Sequence, residues 1–102
     1  MIDQDLFRAV LGRFATGVTV VTTRDADGTP HGMTVSAFSS LSLDPPLVLV
    51  CVANNATMAP LMATAEHFAV NVLSSTQEAV SRRFAGVVHD RFAGIGFHEG
   101  RN

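Results

Sequence analysis

One short segment concentrates hydroxyl side chains whose spacing suits phosphate binding. Residues 32–46 hold five of them, interleaved with apolar residues: Thr34, Ser36, Ser39, Ser40 and Ser42. In an extended strand, Thr34 and Ser36 lie on one face and Met33 and Val35 on the other. Hydroxyls beside backbone N–H groups can hold a phosphate without a lysine, and a flat apolar ring fits against Met33, Val35 and Val52. The alternative is a serine-rich loop on an edge strand, with hydroxyls that bond locally.

A second polar group follows the apolar run 47–52. It consists of Asn54, Asn55 and Thr57. These side chains either cap the helix that follows or lie where the N-terminus of that helix faces an anion, and the two roles are compatible. The sequence leaves both roles open.

Side-chain patterns for catalysis or metal binding are absent from the sequence. The four histidines are scattered and no pair of cysteines supports them, which argues against a metal site. No zinc-protease, nucleophile-elbow or P-loop spacing occurs, and the triplet Gly94-Ile95-Gly96 precedes no helix signal. We therefore predict no catalytic side chain. If the protein is an enzyme, a bound cofactor is expected to carry the chemistry.

Composition indicates one small domain that buries most of its residues. The chain has 102 residues, of which 47% are hydrophobic, and this high apolar content also hints at surface covered by a partner chain. The net charge of −2, with seven arginines and no lysine, offers no basic patch for nucleic acid. Arg82 and Arg83 are expected on a solvated helix face. With no basic leader and no long apolar span, we expect a cytoplasmic protein without membrane insertion.

Apolar periodicity predicts a helix over residues 3–14. Asp3 is placed to cap its start, and Gly17 is expected to break it. The residues that form one apolar stripe, at helical spacing, are Phe7, Val10, Leu11 and Phe14. We expect this stripe to face the core.

The next segments alternate between strand and turn signals. β-branched residues favour a strand over 18–23, a turn over 25–30 follows, and 31–37 returns as the second arm of a hairpin. Residues 38–43 are rich in serine and have a weaker pattern, and Asp44-Pro45-Pro46 ends them. The run 47–52 is wholly apolar and predicts a strand buried on both faces. Cys51, within that run, is expected to be buried.

Two more helices and one strand complete the prediction. A short helix is expected over 57–64, a strand over 68–73, and a helix from the capping box Ser75-Thr76-Gln77-Glu78 to about Phe84, ended by Gly86. Residues 87–102 have only a weak pattern. The order indicates a mainly β fold, a barrel or rolled sheet with peripheral helices. A doubly wound parallel sheet is the competing interpretation.

Several motifs, in order and with similar spacing, resemble the flavin reductase-like family, whose fold is an FMN-binding split β-barrel. The family includes the small reductase components of two-component flavin monooxygenases. The resemblance covers nearly the whole chain, and its motifs are 14–23 (FATGVTVVTT), 32–46 (GMTVSAFSSLSLDPP), 68–73 (FAVNVL), 83–86 (RFAG) and 90–94 (DRFAG).

The resemblance implies where a flavin would bind. It places the isoalloxazine and ribityl parts against Met33, Thr34, Val35 and Ser36, and the phosphate end at Phe38, Ser39 and Ser40. It places Val52, Ala53 and Asn54 along the other edge of the ring, Thr57 and Met58 over the flavin, and Phe84 and Ala85 beside it. Plain core packing is the equal alternative for Phe84. The cofactor would be FMN or FAD, with NADH or NADPH as co-substrate.

One family feature does not occur in this sequence. Family members continue with further strands that include a Gly-Asp-His motif of the nicotinamide site, and no Gly-Asp-His occurs here. Residues 1–102 are therefore expected to be only the N-terminal part of a flavin reductase-like domain, a split barrel incomplete at the C-terminus.

The function implied by the resemblance is NAD(P)H-dependent flavin reduction. Hydride passes from the nicotinamide to the flavin, and the reduced flavin serves a partner monooxygenase; a homodimer is expected. The alternative is a non-catalytic flavin-binding module, or an inactive fragment of a reductase. A third possibility, an enzyme like pyridoxamine-phosphate oxidase, would need basic residues near the phosphate, and residues 33–46 contain none.

Overall fold

The structure, a computed structural model, describes residues 1–86 and 91–97 of the chain. Its elements are α1 (Gln4–Leu11), β1 (Thr19–Arg24), β2 (Pro30–Val35), β3 (Phe38–Ser42), β4 (Leu47–Val50), α2 (Ala59–Thr64), β5 (Ala69–Val72) and α3 (Glu78–Ala85). Asp90 of the last family motif, His89, His98 and most of the weakly patterned stretch 87–102 lie outside the described residues.

The strands form two antiparallel sheets. One sheet has the order β2–β1–β5, and β3 and β4 form the other. Every strand pair in the described residues is antiparallel, so the doubly wound parallel interpretation is wrong. The predicted mainly β fold with peripheral helices is confirmed, and the weakly patterned segment 38–43 also forms a strand.

The hairpin of β1 and β2 closes through the predicted turn. The Asp25 carboxylate accepts backbone N–H groups of Asp27 at 2.9 Å and Thr29 at 3.0 Å. Gly28 has a φ of +82°, a conformation that glycine adopts without the strain of a Cβ. The guanidinium of Arg24 also donates to the Gly28 carbonyl. Local turn chemistry therefore sets the register of the hairpin.

The core lies on both faces of the central strand β1. Its fully or nearly buried apolar side chains are Val20, Val21, Val35, Met58 and Phe84. Two buried threonines of β1 are satisfied by carbonyls: Thr19 Oγ1 donates to Val35 O at 2.7 Å, and Thr23 Oγ1 to His67 O at 2.8 Å. Because each hydroxyl has a partner, its burial does not carry the cost of an unmade hydrogen bond.

Helix α1 is shorter and more exposed than its pattern predicts. Asp3 caps it as expected, with the Asp5 N–H donating to Asp3 Oδ1 at 3.3 Å. The helix ends at Leu11 with Gly12 as its C-cap, so the predicted extension to residue 14 and the break at Gly17 are wrong. Glycine is a poor helix former and ends the element early. The four stripe residues are 50–73% exposed, so the expected burial is also wrong.

Strand β4 is likewise not buried on both faces. Leu47, Val48 and Leu49 are each 46–47% exposed, and Cys51 beyond the strand is exposed. The reason is that β4 pairs with β3 in a two-stranded sheet. An apolar run specifies a strand, but its burial depends on which elements cover it.

The caps of α2 and α3 also differ from the sequence prediction. Met58 occupies the N-cap of α2 without a side-chain hydrogen bond, so Asn54, Asn55 and Thr57 do not cap that helix. At α3 the predicted capping box does not form, because Gln77 is the N-cap and its Oε1 accepts the Ser74 N–H at 2.9 Å. Gly86 ends α3 as expected. None of the helices in the described part of the chain is long and apolar enough to cross a membrane.

Candidate functional site

The two faces of β2 have different surroundings. Thr34 Oγ1 donates to the carbonyl of Ser81 in α3 at 2.6 Å. On the same face, a Cβ added to Gly32 would lie 2.8 Å from Cε1 of Phe84, so the α3 ring occupies the space of a side chain there. Met33 and Val35 lie on the opposite face, by strand alternation. The α3-facing side of β2 is therefore occupied by packing, and the Thr34 hydroxyl is engaged with α3.

The opposite face of β2 is apolar. Val35 is buried and Met33 is half-buried. Across the ladder, Met33 lies opposite Val21, which is completely buried. This is the face on which the sequence predicts a flat ring, and Met33 is the side chain there that retains access to solvent.

The β2–β3 turn and the start of β3, residues 36–40 and here called the serine turn, expose three hydroxyl residues. Ser36, Ser39 and Ser40 are exposed, and Phe38 is half-buried. The Phe38 N–H donates to Ser36 O at 2.9 Å, which makes the turn tight. Ser39 Oγ donates to Ser40 O at 3.0 Å. One of the three hydroxyls therefore bonds locally, as the alternative interpretation of a serine-rich loop predicts. All three hydroxyl residues are exposed and offer neutral donors, with Ser39 and Ser40 on opposite faces of β3 by strand alternation.

The β3–β4 hairpin brings the second polar group close to this turn. Phe38 pairs with Val50, and the Cys51 N–H donates to Ala37 O at 3.1 Å. Val52, Ala53 and Asn54 follow directly, so the backbone places them beside the β2–β3 turn. The structure thus brings together the two segments that the sequence predicts to bind a flavin.

The remaining predicted residues divide between surface and core. Asn54 and Thr57 are exposed in the loop before α2, whereas Met58 is only 3% exposed and packs into the core. Phe84 is 2% exposed and makes an edge-to-face contact with Phe92, with ring centroids 5.1 Å apart. Ala85 is exposed. These contacts favour the packing role for Phe84, which lies behind β2 on the face away from Met33.

Arg83 and Arg91 bind backbone carbonyls beside the candidate site. This role was not predicted from the sequence. Arg91 donates to Gly32 O at 2.7 Å and to Gly86 O at 2.9 Å. Arg83 is half-buried and donates to the carbonyls of Arg91 and Ala93, both at 2.7 Å, so its expected place on a solvated face is wrong. Arg82 does lie exposed and pairs with Glu78. Arg83 and Arg91 each lie in a motif of the family, but this position does not indicate which backbone carbonyls they bind.

A half-buried contact between His31 and Asp25 lies at the other end of β2. His31 Nε2 lies 2.8 Å from Asp25 Oδ2. The hydrogen bond from His31, followed by the backbone N–H groups of Thr29 and Asp27, lowers the pKa of the Asp25 carboxyl. Residues 32–35 separate His31 from Ser36, so we assign the pair to the β1–β2 hairpin and not to the site.

The chemistry of the site is that of neutral donors beside an apolar surface. Residues 33–40 and 52–58 contain no acidic or basic side chain. Hydroxyls and backbone N–H groups can hold a phosphate by themselves. The arrangement fits a ligand with one anionic end and a flat ring, such as a phosphorylated flavin, and it offers no general acid, base or nucleophile.

Comparison with known proteins gives the class to which the chain belongs. Residues 11–102 match the family model of the flavin reductase like domain, so the chain is a member of the flavin reductase family. It is 50% identical over 102 residues to a protein named probable flavin reductase from Rhizobium meliloti (strain 1021), covering 100% of this chain and 33% of that protein.

Two further relatives connect the family to flavin and to oxygenation. The chain is 44% identical over 98 residues to the reductase subunit HsaB of a flavin-dependent monooxygenase from Rhodococcus jostii (strain RHA1), covering 96% of this chain and 50% of that one. It superimposes with a TM-score of 0.89 and 42% identity on the NADH:FAD oxidoreductase SgcE6 of Streptomyces globisporus C-1027, solved with NAD and FAD fragments, over 97% of this chain and 59% of that one. The predicted family and its split-barrel fold are therefore confirmed. The chain spans a third to a half of the two curated relatives.

Proposed function

We propose that this chain is part of an NAD(P)H-dependent flavin reductase that supplies reduced flavin to a partner monooxygenase. The similarity to the NADH:FAD oxidoreductase, which extends over nearly the whole chain, carries this proposal. The similarity to the reductase subunit of a flavin-dependent monooxygenase supports the second component as partner.

We assign the flavin to the surface formed by the β2–β3 turn and the loop after β4. The ring would lie against Met33, with the backbone of 34–36 and of 52–54 along its edges. The exposed hydroxyls of Ser36, Ser39 and Ser40 would hold the phosphate of FMN or FAD. The remaining assigned contacts are Val35, Phe38, Thr57, Met58, Phe84 and Ala85, of which the buried ones act by supporting this surface.

The chain's own contribution to the reaction is binding and orientation. When bound, a flavin supplies the hydride-accepting chemistry, so the absence of ionisable side chains from residues 33–40 and 52–58 is compatible with catalysis. β2 is an edge strand of the described sheet. Backbone N–H groups of 34–36 that point away from β1 would donate to the ring and stabilise negative charge there, by the logic of an oxyanion hole.

We further propose that the protein is a cytoplasmic homodimer. The exposed apolar stripe of α1 and the exposed side chains of β4 support an interface between copies. The cytoplasm is the compartment that supplies NADH and NADPH for the proposed reaction.

The deciding experiment titrates the purified chain with FMN and with FAD by flavin fluorescence and then follows oxidation of NADH and NADPH. Saturable binding with flavin-dependent NAD(P)H oxidation supports the reductase. Binding without oxidation indicates a non-catalytic flavin-binding module. Absence of binding to both flavins contradicts the proposal.

A further inference from the structure

Arg91 joins β2 to the end of α3 through one planar side chain. Its Nη1 donates to Gly32 O at 2.7 Å, and its Nη2 donates to Gly86 O at 2.9 Å. The residue is half-buried. A guanidinium can bond two acceptors in fixed directions at once, whereas a lysine offers a single flexible ammonium. The Arg91 guanidinium therefore fixes the distance between the carbonyls of Gly32 and Gly86.

Arg91 is itself held in place by α3. Arg83 donates through Nε to the carbonyl of Arg91 and through Nη2 to the carbonyl of Ala93, both at 2.7 Å. Phe92 packs edge-to-face on Phe84 with centroids 5.1 Å apart. The backbone from Arg91 to Ala93 is thus anchored on α3.

At Gly32, strand β2 can be anchored only through backbone atoms. The Phe84 ring occupies the space of a Cβ at this position, so no side chain can hold the strand there. Two residues further on, Thr34 is anchored to Ser81 O at 2.6 Å. These bonds attach the α3-facing side of an edge strand, and they leave Met33 and the turn at Ser36 free to face a ligand.

We infer that Arg91 is a positioning residue for the flavin-binding strand: its bond to the Gly32 carbonyl holds β2 in the place that the flavin requires. This inference rests on the proposed function. In this proposal Arg91 acts through β2, because its guanidinium is engaged by the carbonyls of Gly32 and Gly86.

The test compares Arg91→Met, which keeps an apolar stem and removes both bonds, with Arg91→Lys, which can restore one. Arg82→Met is the matched control, since Arg82 is exposed on α3 and pairs only within that helix in the bonds described, with Glu78. We expect the Kd for FMN to rise about tenfold in Arg91→Met, to take an intermediate value in Arg91→Lys and to stay unchanged in Arg82→Met.

Hydrogen–deuterium exchange of backbone amides separates positioning from general stability. We expect faster exchange in Arg91→Met over residues 30–36 and unchanged exchange in β5, whereas a merely structural role would loosen both edges of the sheet alike. Unchanged FMN binding in both Arg91 variants would overturn the inference and leave the proposed function standing. If the unmodified chain binds no FMN, the proposed function fails, and unchanged exchange over 30–36 would then overturn the positioning of β2 as well.

Discussion

Successive side chains of β2 have two different tasks. Gly32 and Thr34 attach the strand to α3, one by making room for a ring and the other by a hydroxyl bond. Met33 lies on the other face and retains contact with solvent. A strand that must both bind a ligand and be anchored can do so because its side chains alternate between faces. Substitutions at neighbouring positions are therefore expected to have unrelated effects.

Gly32→Ala tests the anchoring face. The new Cβ would lie 2.8 Å from Phe84 Cε1 and 3.2 Å from Thr22 Cγ2, so the buried ring must move. We expect the free energy of unfolding to fall by about 1–3 kcal/mol, as for other overpacked cores. Urea unfolding measures the change. Gly17→Ala is the control, since nothing lies within 4 Å of its added Cβ, and equal stability of the two variants would contradict the prediction.

The serine turn is tested by removing its hydroxyls together. We expect the variant Ser36→Ala/Ser39→Ala/Ser40→Ala to bind FMN about tenfold more weakly or worse, because neutral hydrogen bonds to a phosphate are lost. Its affinity for riboflavin, which has no phosphate, should not change. Fluorescence titration with both ligands makes the comparison, and Ser75→Ala, an exposed serine before α3, is the control. An equal loss for FMN and riboflavin would place the phosphate elsewhere.

Elements were predictable where their determinants are local. The hairpin of β1 and β2 follows from a β-branched run and a turn with Asp25 and Gly28, and both signals lie within the segment itself. The exposure of the α1 stripe and of β4 was not predictable, because burial depends on which elements cover a face. An apolar pattern indicates that a face can be buried, but it does not indicate which element covers that face.

The turn of the same hairpin gives a prediction about acid. The Asp25 carboxyl has a pKa below its ordinary value of 3.8, first because of the hydrogen bond from His31. A carboxyl whose pKa is lowered by folding stabilises the fold above its unfolded pKa, and this contribution is lost as the pH falls through the folded pKa. We expect Asp25→Asn to be less stable than the unmodified chain near pH 6, and the difference to shrink as the pH falls below 3.8 through the lowered pKa.

Urea unfolding at a series of pH values measures that difference. Asp27→Asn, in the same turn, is the control, because its side chain is exposed and Asp27 contributes only a backbone N–H to Asp25. A stability difference for Asp25→Asn that stays constant down to pH 2 would show that the loss comes from turn geometry and not from the charge of Asp25.

The sequence predicts which segments make up the proposed flavin site, but it does not predict the contacts that support them. The alternation of Met33, Thr34 and Val35 correctly separates two faces, and the hairpin brings Val52 to Asn54 beside Ser36. The engagement of Thr34 with α3 and the two arginine clamps depend on long-range contacts with backbone carbonyls. Every residue has a backbone carbonyl, so no side-chain pattern indicates which carbonyls accept these bonds.

At the scale of the whole molecule, the exposed apolar surface bears on how copies of the chain assemble. All of α1 is exposed in the structure, and its apolar stripe carries Phe7 and Val10 at 50% and 54% exposure. A helix of eight residues is marginal by itself in water, so its formation depends on a surface against which the stripe packs. If that surface is a second copy, Phe7→Glu should convert the homodimer to a monomer, because a charge cannot enter an apolar interface without a partner.

Ala9→Glu is the matched control for this substitution. It adds the same charge to the same helix, but residue 9 lies about 200° around the helix from residue 7 and thus away from the stripe. Sedimentation velocity should give a dimer for the unmodified chain and for Ala9→Glu, and a monomer for Phe7→Glu with an unchanged circular dichroism spectrum over the β region. A monomeric unmodified chain would remove the homodimer, and a dimeric Phe7→Glu would move the interface to β4, where Leu47, Val48 and Leu49 are the exposed apolar side chains.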